Sequence, residues 1–296
     1  MPWQILVLFR VLAAHIGFPY AVKKLSGLPG RSRRIALQFA YCILFTLGFA
    51  VLSGDALVFD WRFAAIFAFG IVNALAVYSQ WRAIEISMVK NSLFTQADDL
   101  IAIGLGMLFL GEAHQLAMPA VATAILLCVF GTVAYTFSTR KKDEKVGSKI
   151  FLFIAVYSAV WGVAVFSQRA LAIEGMSLSS YALAWYSGTL LGSFGLVATF
   201  GRKEESLAFS WSVLWKVGAL ALLVWTAFTF GFHTYREAPV SISQPIFQVT
   251  ELVLPLLIGV LIFKEIPMPR WRDRALLAVA VCGATVMLGL YRVVLL

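Results

Sequence analysis

Apolar runs of about twenty residues, separated by short polar stretches, occupy nearly the whole chain, and no other feature limits its fold so strongly. They lie at roughly 3–22, 35–53, 62–83, 88–110, 117–137, 150–172, 178–200, 213–235, 240–263 and 271–292. Twenty residues rising about 1.5 Å each span a hydrocarbon core about 30 Å thick. Lipid offers the backbone no hydrogen-bond partner, so each run is expected to be helical despite its Val, Ile and Phe content. Composition points the same way. Of 296 residues, 61% are hydrophobic and 13% charged, whereas soluble domains carry about 25% charged residues. A water-soluble fold has too little interior for this much apolar side chain. The expected fold class is all-α: a polytopic membrane protein of ten transmembrane helices.

The net charge of +9 would raise the question of nucleic acid in a soluble chain. Here the basic residues sit between apolar runs, where they orient a membrane protein, and a nucleic-acid partner is not expected. If ten helices alternate across the bilayer, one face receives four basic residues: Arg62, Arg169, Arg236 and Arg292. Arg10 lies inside the first helix. The other 19 of the 24 Lys and Arg fall on the opposite face, including Lys23, Lys24, Arg31, Arg33 and Arg34. The positive-inside rule makes that face cytoplasmic and puts both termini outside. The longest polar segment, 138–149, contains Arg140-Lys141-Lys142-Asp143-Glu144-Lys145 and reads as a solvated linker between two halves, 1–137 and 150–296. No basic n-region precedes the first run, so a cleaved signal peptide is not expected.

The two halves repeat one another. At a spacing of 153 residues, Asn91 falls on Gln244, Thr95 on Gln248, Asp98 on Glu251 and Glu112 on Glu265. At a spacing of 145, Gly17 falls on Gly162 and Lys24 on Arg169. Polar coincidences outweigh apolar ones in a sequence this apolar. Five helices per copy is an odd number, so the copies are expected to be inverted, with a substrate site near the midplane between them.

Asn91, Thr95 and Asp98 at i, i+4, i+7 form one polar stripe, and Gln244, Gln248 and Glu251 form its counterpart. Asp98 precedes Glu112 by 14 residues, about 21 Å of helix, which sets it near the membrane centre. A carboxylate exposed to lipid there costs at least about 2.5–3.5 kcal/mol. Asp98 and Glu251 are therefore expected to share a central cavity that binds a cation or carries protons, with one of the pair holding a proton. The alternative is ion pairing with Lys90, Arg10 or His233, or permanent protonation. Asp99, about 100° round the helix, is a further candidate, and His233 and His15 are candidate proton relays.

No His/Cys/Asp cluster has metal-ligand spacing, so neither metal nor cofactor is expected. Cys42, Cys128 and Cys282 read as buried structural thiols. Pro245 and Pro255 are expected to break the hydrogen-bond ladder of the ninth helix. Gly188, Gly192 and Gly195 read as intrachain helix packing. Trp3, Trp61, Trp211 and Trp271 read as interfacial anchors. Trp161, Trp185, Tyr186 and Trp225 read as core or lipid-facing packing, with cavity lining the alternative.

Met107-Leu108-Phe109-Leu110-Gly111-Glu112, Gly259-Val260-Leu261-Ile262-Phe263-Lys264-Glu265, Trp161-Gly162 and Ser243-Gln244-Pro245-Ile246-Phe247 together resemble the drug/metabolite transporter (DMT) superfamily, EamA type. The resemblance covers the whole chain through short motifs. The first half departs from it, with Ile16-Gly17 for Trp-Gly and Ser92 at the proline position. Members of that family keep both termini in the cytoplasm, opposite to the Lys/Arg count. The resemblance implies a plasma-membrane (bacterial inner-membrane), multi-pass carrier, monomeric or homodimeric. Acids in both repeats point to an amine, amino acid or other cation or zwitterion, moved by alternating access with possible proton coupling. The competing reading is a non-transporting assembly or lipid-handling protein of the same fold. An intramembrane enzyme lacks a nucleophile–base pair in the sequence, and no P-loop for ATP is present.

Overall fold

The structure, a computed structural model, describes residues 2–139, 148–204, 210–265 and 269–290. The first apolar run is composite. α1 (Trp3–Val11) passes through a π-helical segment (Leu12–Gly17) into α2 (Phe18–Leu25). α3 (Arg31–Ser53) and α4 (Trp61–Ile86) follow. The fourth run is split into α5 (Met88–Phe94) and α6 (Ala97–Phe109). A 3-10 segment (Glu112–Ala117) leads to α7 (Pro119–Thr139). The second half holds α8 (Ser148–Ile173), α9 (Leu178–Thr199), α10 (Trp211–Glu237), α11 (Val240–Leu261) and α12 (Trp271–Leu290). No strand occurs among the described residues. Eight of these rods are long and apolar enough to cross a membrane; α9 and α12 stand outside that set. The centre of the charged linker, 140–147, and Arg292 lie outside the described residues.

Local chemistry sets the helix ends. Asp60 accepts from the Arg62 and Phe63 N–H groups at 3.0 and 3.1 Å to start α4. The Ser87, Ser177 and Ser210 hydroxyls cap α5, α9 and α10 in the same way. Gly54 closes α3 with φ of 69°, a left-handed conformation that favours glycine.

Two seams of small residues bring helices into backbone contact. A Cβ on Gly188 or Gly192 would strike the carbonyl of Phe67 or Ile71, so α9 lies directly on α4. Gly195 meets nothing and is not part of that seam. Gly131 and Gly283 do the same for α7 against α12. Outside, Leu44, Val51, Leu52, Leu126, Phe130 and Phe137 stand exposed, an exterior suited to lipid.

Charge collects at the two ends. At one end Lys23 pairs with Glu265 at 2.7 Å, Arg31 bonds to Glu85, and the Ser32 hydroxyl donates to Glu204 at 2.7 Å. These residues belong to the strongly basic face. At the other end Arg169 donates to Glu112 at 3.1 Å and Ser179 to Asp55 at 2.8 Å.

Two expectations need correction. Trp3 is fully buried and is no interfacial anchor, whereas Trp61, Trp211 and Trp271 are exposed. Cys282 is exposed, because α12 turns that face outward, while Cys42 and Cys128 are buried. α11 continues as one helix through Pro245 and Pro255, each of which removes an N–H from its ladder. The helix that breaks is the fourth run, at Thr95–Gln96, where no proline occurs.

Candidate functional site: an acidic central cavity

The break between α5 and α6 places chemistry where an unbroken helix would not. The Asp98 N–H bonds back to the Thr95 carbonyl at 3.1 Å, closing a tight turn. Asp98 and Asp99 then occupy the first turn of α6. A helix N-terminus carries unpaired N–H groups and partial positive charge, which favour a carboxylate. α8 lies close against this turn, because a Cβ on Gly162 would meet the Asp98 carbonyl and the Ile101 side chain.

Carboxylate oxygens of Asp98, Asp99 and Glu251 lie within 4.8 Å of one another. Asp98 and Asp99 are buried, and Glu251 is half-buried. All three line one cavity of about 100 Å³. Gln244 is held at both ends. Its amide donates to Asp99 at 2.5 Å, and its carbonyl accepts from the Tyr235 hydroxyl at 3.0 Å. Oδ1 of Asp98 and Oδ2 of Asp99 have no partner among the described residues.

Arg10, from α1, enters the same cavity. Its guanidinium lies 4.2 Å from the centroid of Phe247 and 4.9 Å from that of Tyr235. A Cβ on Gly231 would overlap that guanidinium, so glycine leaves the space it occupies. His15 lines the cavity from the π-helical segment, with Nδ1 2.8 Å from the Thr250 hydroxyl.

The cavity gathers Asp98, Asp99, Glu251 and Gln244 but leaves four expected residues out. Asn91 and Thr95 precede the helix break and sit buried between helices. Thr95 faces Glu251 without a formed hydrogen bond. Gln248 is fully buried behind the wall with its amide unpartnered. His233 is half-buried near the end of α10, edge-on to Phe232, away from the cavity. Asn91 and Thr95 lie on α5 and at the turn that follows it, Asp98 on α6.

The opposite wall comes from α3, α4, α9 and α10, with Gln38, Asn73, Gln80, Trp185, Tyr186 and Phe228. Tyr157, Trp161 and Gln168 of α8 complete it. Trp161, Trp185 and Tyr186 therefore line the cavity while also packing in the core. Trp225 packs edge-on to Phe45 and Phe49 instead. Asn73 and Gln80, seven residues apart on an otherwise apolar helix, carried a sequence signal for that wall. Gln38 carried none.

Like charges 4.8 Å apart repel by roughly 3 kcal/mol per pair at an effective dielectric of about 20. One guanidinium cannot offset three such pairs. The arrangement can therefore hold a cation, share protons, or exchange one for the other.

No family model matches the sequence, and no curated protein matches it. The fold has a counterpart among solved structures. One crystal structure superposes on 96% of this chain and 98% of its own, with a TM-score of 0.71 and 18% sequence identity. At that identity the likeness concerns the fold alone.

Proposed function

We propose that this membrane-embedded helical protein is a secondary transporter that carries a small cationic or zwitterionic metabolite, such as an amine or amino acid, by alternating access. The observation that carries the reading is the meeting of three carboxylates from α6 and α11 in the wall of one cavity. An intramembrane acid is costly unless it serves a substrate or proton, and this chain concentrates three.

In this reading all ten rods cross the bilayer, and 1–137 and 150–296 are inverted repeats of the DMT superfamily, EamA type. Reciprocal contacts support it. Glu112 of the first half accepts from the Ser241 N–H at the start of α11 at 2.9 Å and from Arg169 of α8. Glu265 of the second half accepts from the Met88 and Val89 N–H groups of α5, at 3.1 Å each, and from Lys23. Each carboxylate caps a helix of the other half and pairs with a base at the end of that half's first rod. The base used is Lys23, whereas Lys24 lies over the Tyr20 and Phe263 rings. These two contacts serve as latches on opposite sides of the cavity.

A ligand-stabilisation screen of the purified protein over amines, amino acids and sugar phosphates tests the reading. A ligand at a hundred times its Kd stabilises by about 2.7 kcal/mol. Amines or amino acids should raise Tm. Asp98→Asn and Glu251→Gln should abolish the rise, and pH-dependent uptake in proteoliposomes, without loss of the fold. Stabilisation by sugar phosphates alone, or wild-type transport by both variants, would overturn it.

A further inference from the structure

The cavity has a second polar pole, and its chemistry is set by hydrogen bonds alone. Thr189 of α9 donates its hydroxyl proton to the Trp185 carbonyl at 2.7 Å. Its oxygen is then available only to accept, and it accepts from Asn73 Nδ2 at 3.1 Å. That bond decides which way round the Asn73 amide lies. The Asn73 carbonyl oxygen is left over, fully buried, lining the cavity and without a partner among the described residues. Gln38 Oε1, buried on neighbouring α3, is unpartnered as well. An unpaired buried acceptor costs about 1–3 kcal/mol, a cost that a bound donor removes.

The two poles are carried on different helices, α6 and α4, which both pack on α8. α6, which carries Asp98 and Asp99, packs on α8 and α11. α4, which carries Asn73, packs on α9, and α9 on α3. Between the poles the wall is aromatic, through Trp161, Trp185, Tyr186 and Phe228. From this we infer that the cavity takes a primary amine bearing a second hydrogen-bond donor, a hydroxyl or another amine, at the far end of a short apolar chain. The ammonium lies among Asp98, Asp99 and Glu251, the donor meets Asn73 Oδ1, and the chain lies along the aromatic wall. The inference rests on the transport reading of the carboxylates and adds the far end of the substrate to it.

Three probes of one charge separate the two poles: n-pentylamine, 5-aminopentan-1-ol and 5-methoxypentan-1-amine, titrated into the purified full chain at pH 7. The amino alcohol should bind at least five-fold more tightly than either of the others, because it alone offers a distal donor. Asn73→Leu should erase that preference. Asp98→Asn should weaken all three. The wild-type comparison of the alcohol with its methyl ether decides the matter even if Asn73→Leu does not fold. Equal binding of alcohol and ether would overturn the second pole and leave the carboxylate site standing. No binding of any amine to the wild type would overturn both.

Discussion

Arg10 is the residue on which the electrostatics of the cavity turn. It is the cation that faces Asp99 and Glu251, held over Phe247 and Tyr235 by cation–π contact, worth up to about 2 kcal/mol when desolvated. Gly231 makes its place, and the obstacle a Cβ would meet there is the far end of a flexible side chain. Gly231→Ala should therefore displace the guanidinium without wrecking the helix. Stability should stay within about 1 kcal/mol, since alanine recovers about that much helix propensity. The pH dependence of amine binding should shift as it does in Arg10→Met. Unchanged binding curves in Gly231→Ala would show that the guanidinium does not depend on that space.

At the scale of elements, the contrast is between glycines that face side chains and glycines that face backbone. A Cβ on Gly188 would run into the Phe67 carbonyl of α4, which cannot rotate away. Gly188→Ala should cost about 1–3 kcal/mol, seen as a lower Tm, and wild-type stability would remove the α4–α9 seam from the account. The join between α11 and α5 depends on Glu265. Burial pushes its carboxyl up, but Lys23, the Val89 and Met88 N–H groups and the Ser87 hydroxyl together outweigh burial and hold it below its usual value. A depressed carboxyl contributes stability above the ordinary carboxylate range, about pH 4.3, and loses it as pH falls through the folded value. Glu265→Gln should be less stable than wild type by about 2 kcal/mol at pH 7, and the gap should narrow as pH falls below the ordinary carboxylate range. A gap that persists in acid would assign the loss to packing instead of charge.

For the whole molecule, sidedness is the open variable that experiment reads most directly. Lys23, Arg31, Arg34 and Arg82 assemble with Glu85, Glu204 and Glu265 at one end, the end that the positive-inside rule assigns to the cytoplasm. A single cysteine at Ser26, in a background lacking Cys42, Cys128 and Cys282, should resist impermeant maleimide in intact cells and react after permeabilisation. Labelling from outside would invert the assignment and agree with the cytoplasmic termini that the family resemblance implies. Both latches, Glu112–Arg169 and Glu265–Lys23, are closed at once in this structure. The proposed alternating access would require each to open in turn, so Glu112→Gln should raise external labelling of a cysteine at Gln168, and Glu265→Gln should lower it.

The sequence by itself determined the helices, because lipid leaves an apolar run of twenty residues no other way to satisfy its backbone. It also determined the acids: Asp98 and Glu251 were conspicuous because a charge in such a run needs a reason. Tertiary structure decided which polar residues meet. Period-3.6 reasoning assumes a continuous helix, whereas the fourth run is interrupted by a turn at Thr95–Gln96, and it says nothing of Asp99 meeting Gln244 from another helix. No proline or glycine marked that break. Asn73 and Gln80 hinted at the far wall, but its assembly was not legible, since it depends on how closely α9 seats on α4 at Gly70, Gly188 and Gly192. Periodicity reports the face of one helix, whereas a cavity is a relation among several, set by how closely their backbones can pack.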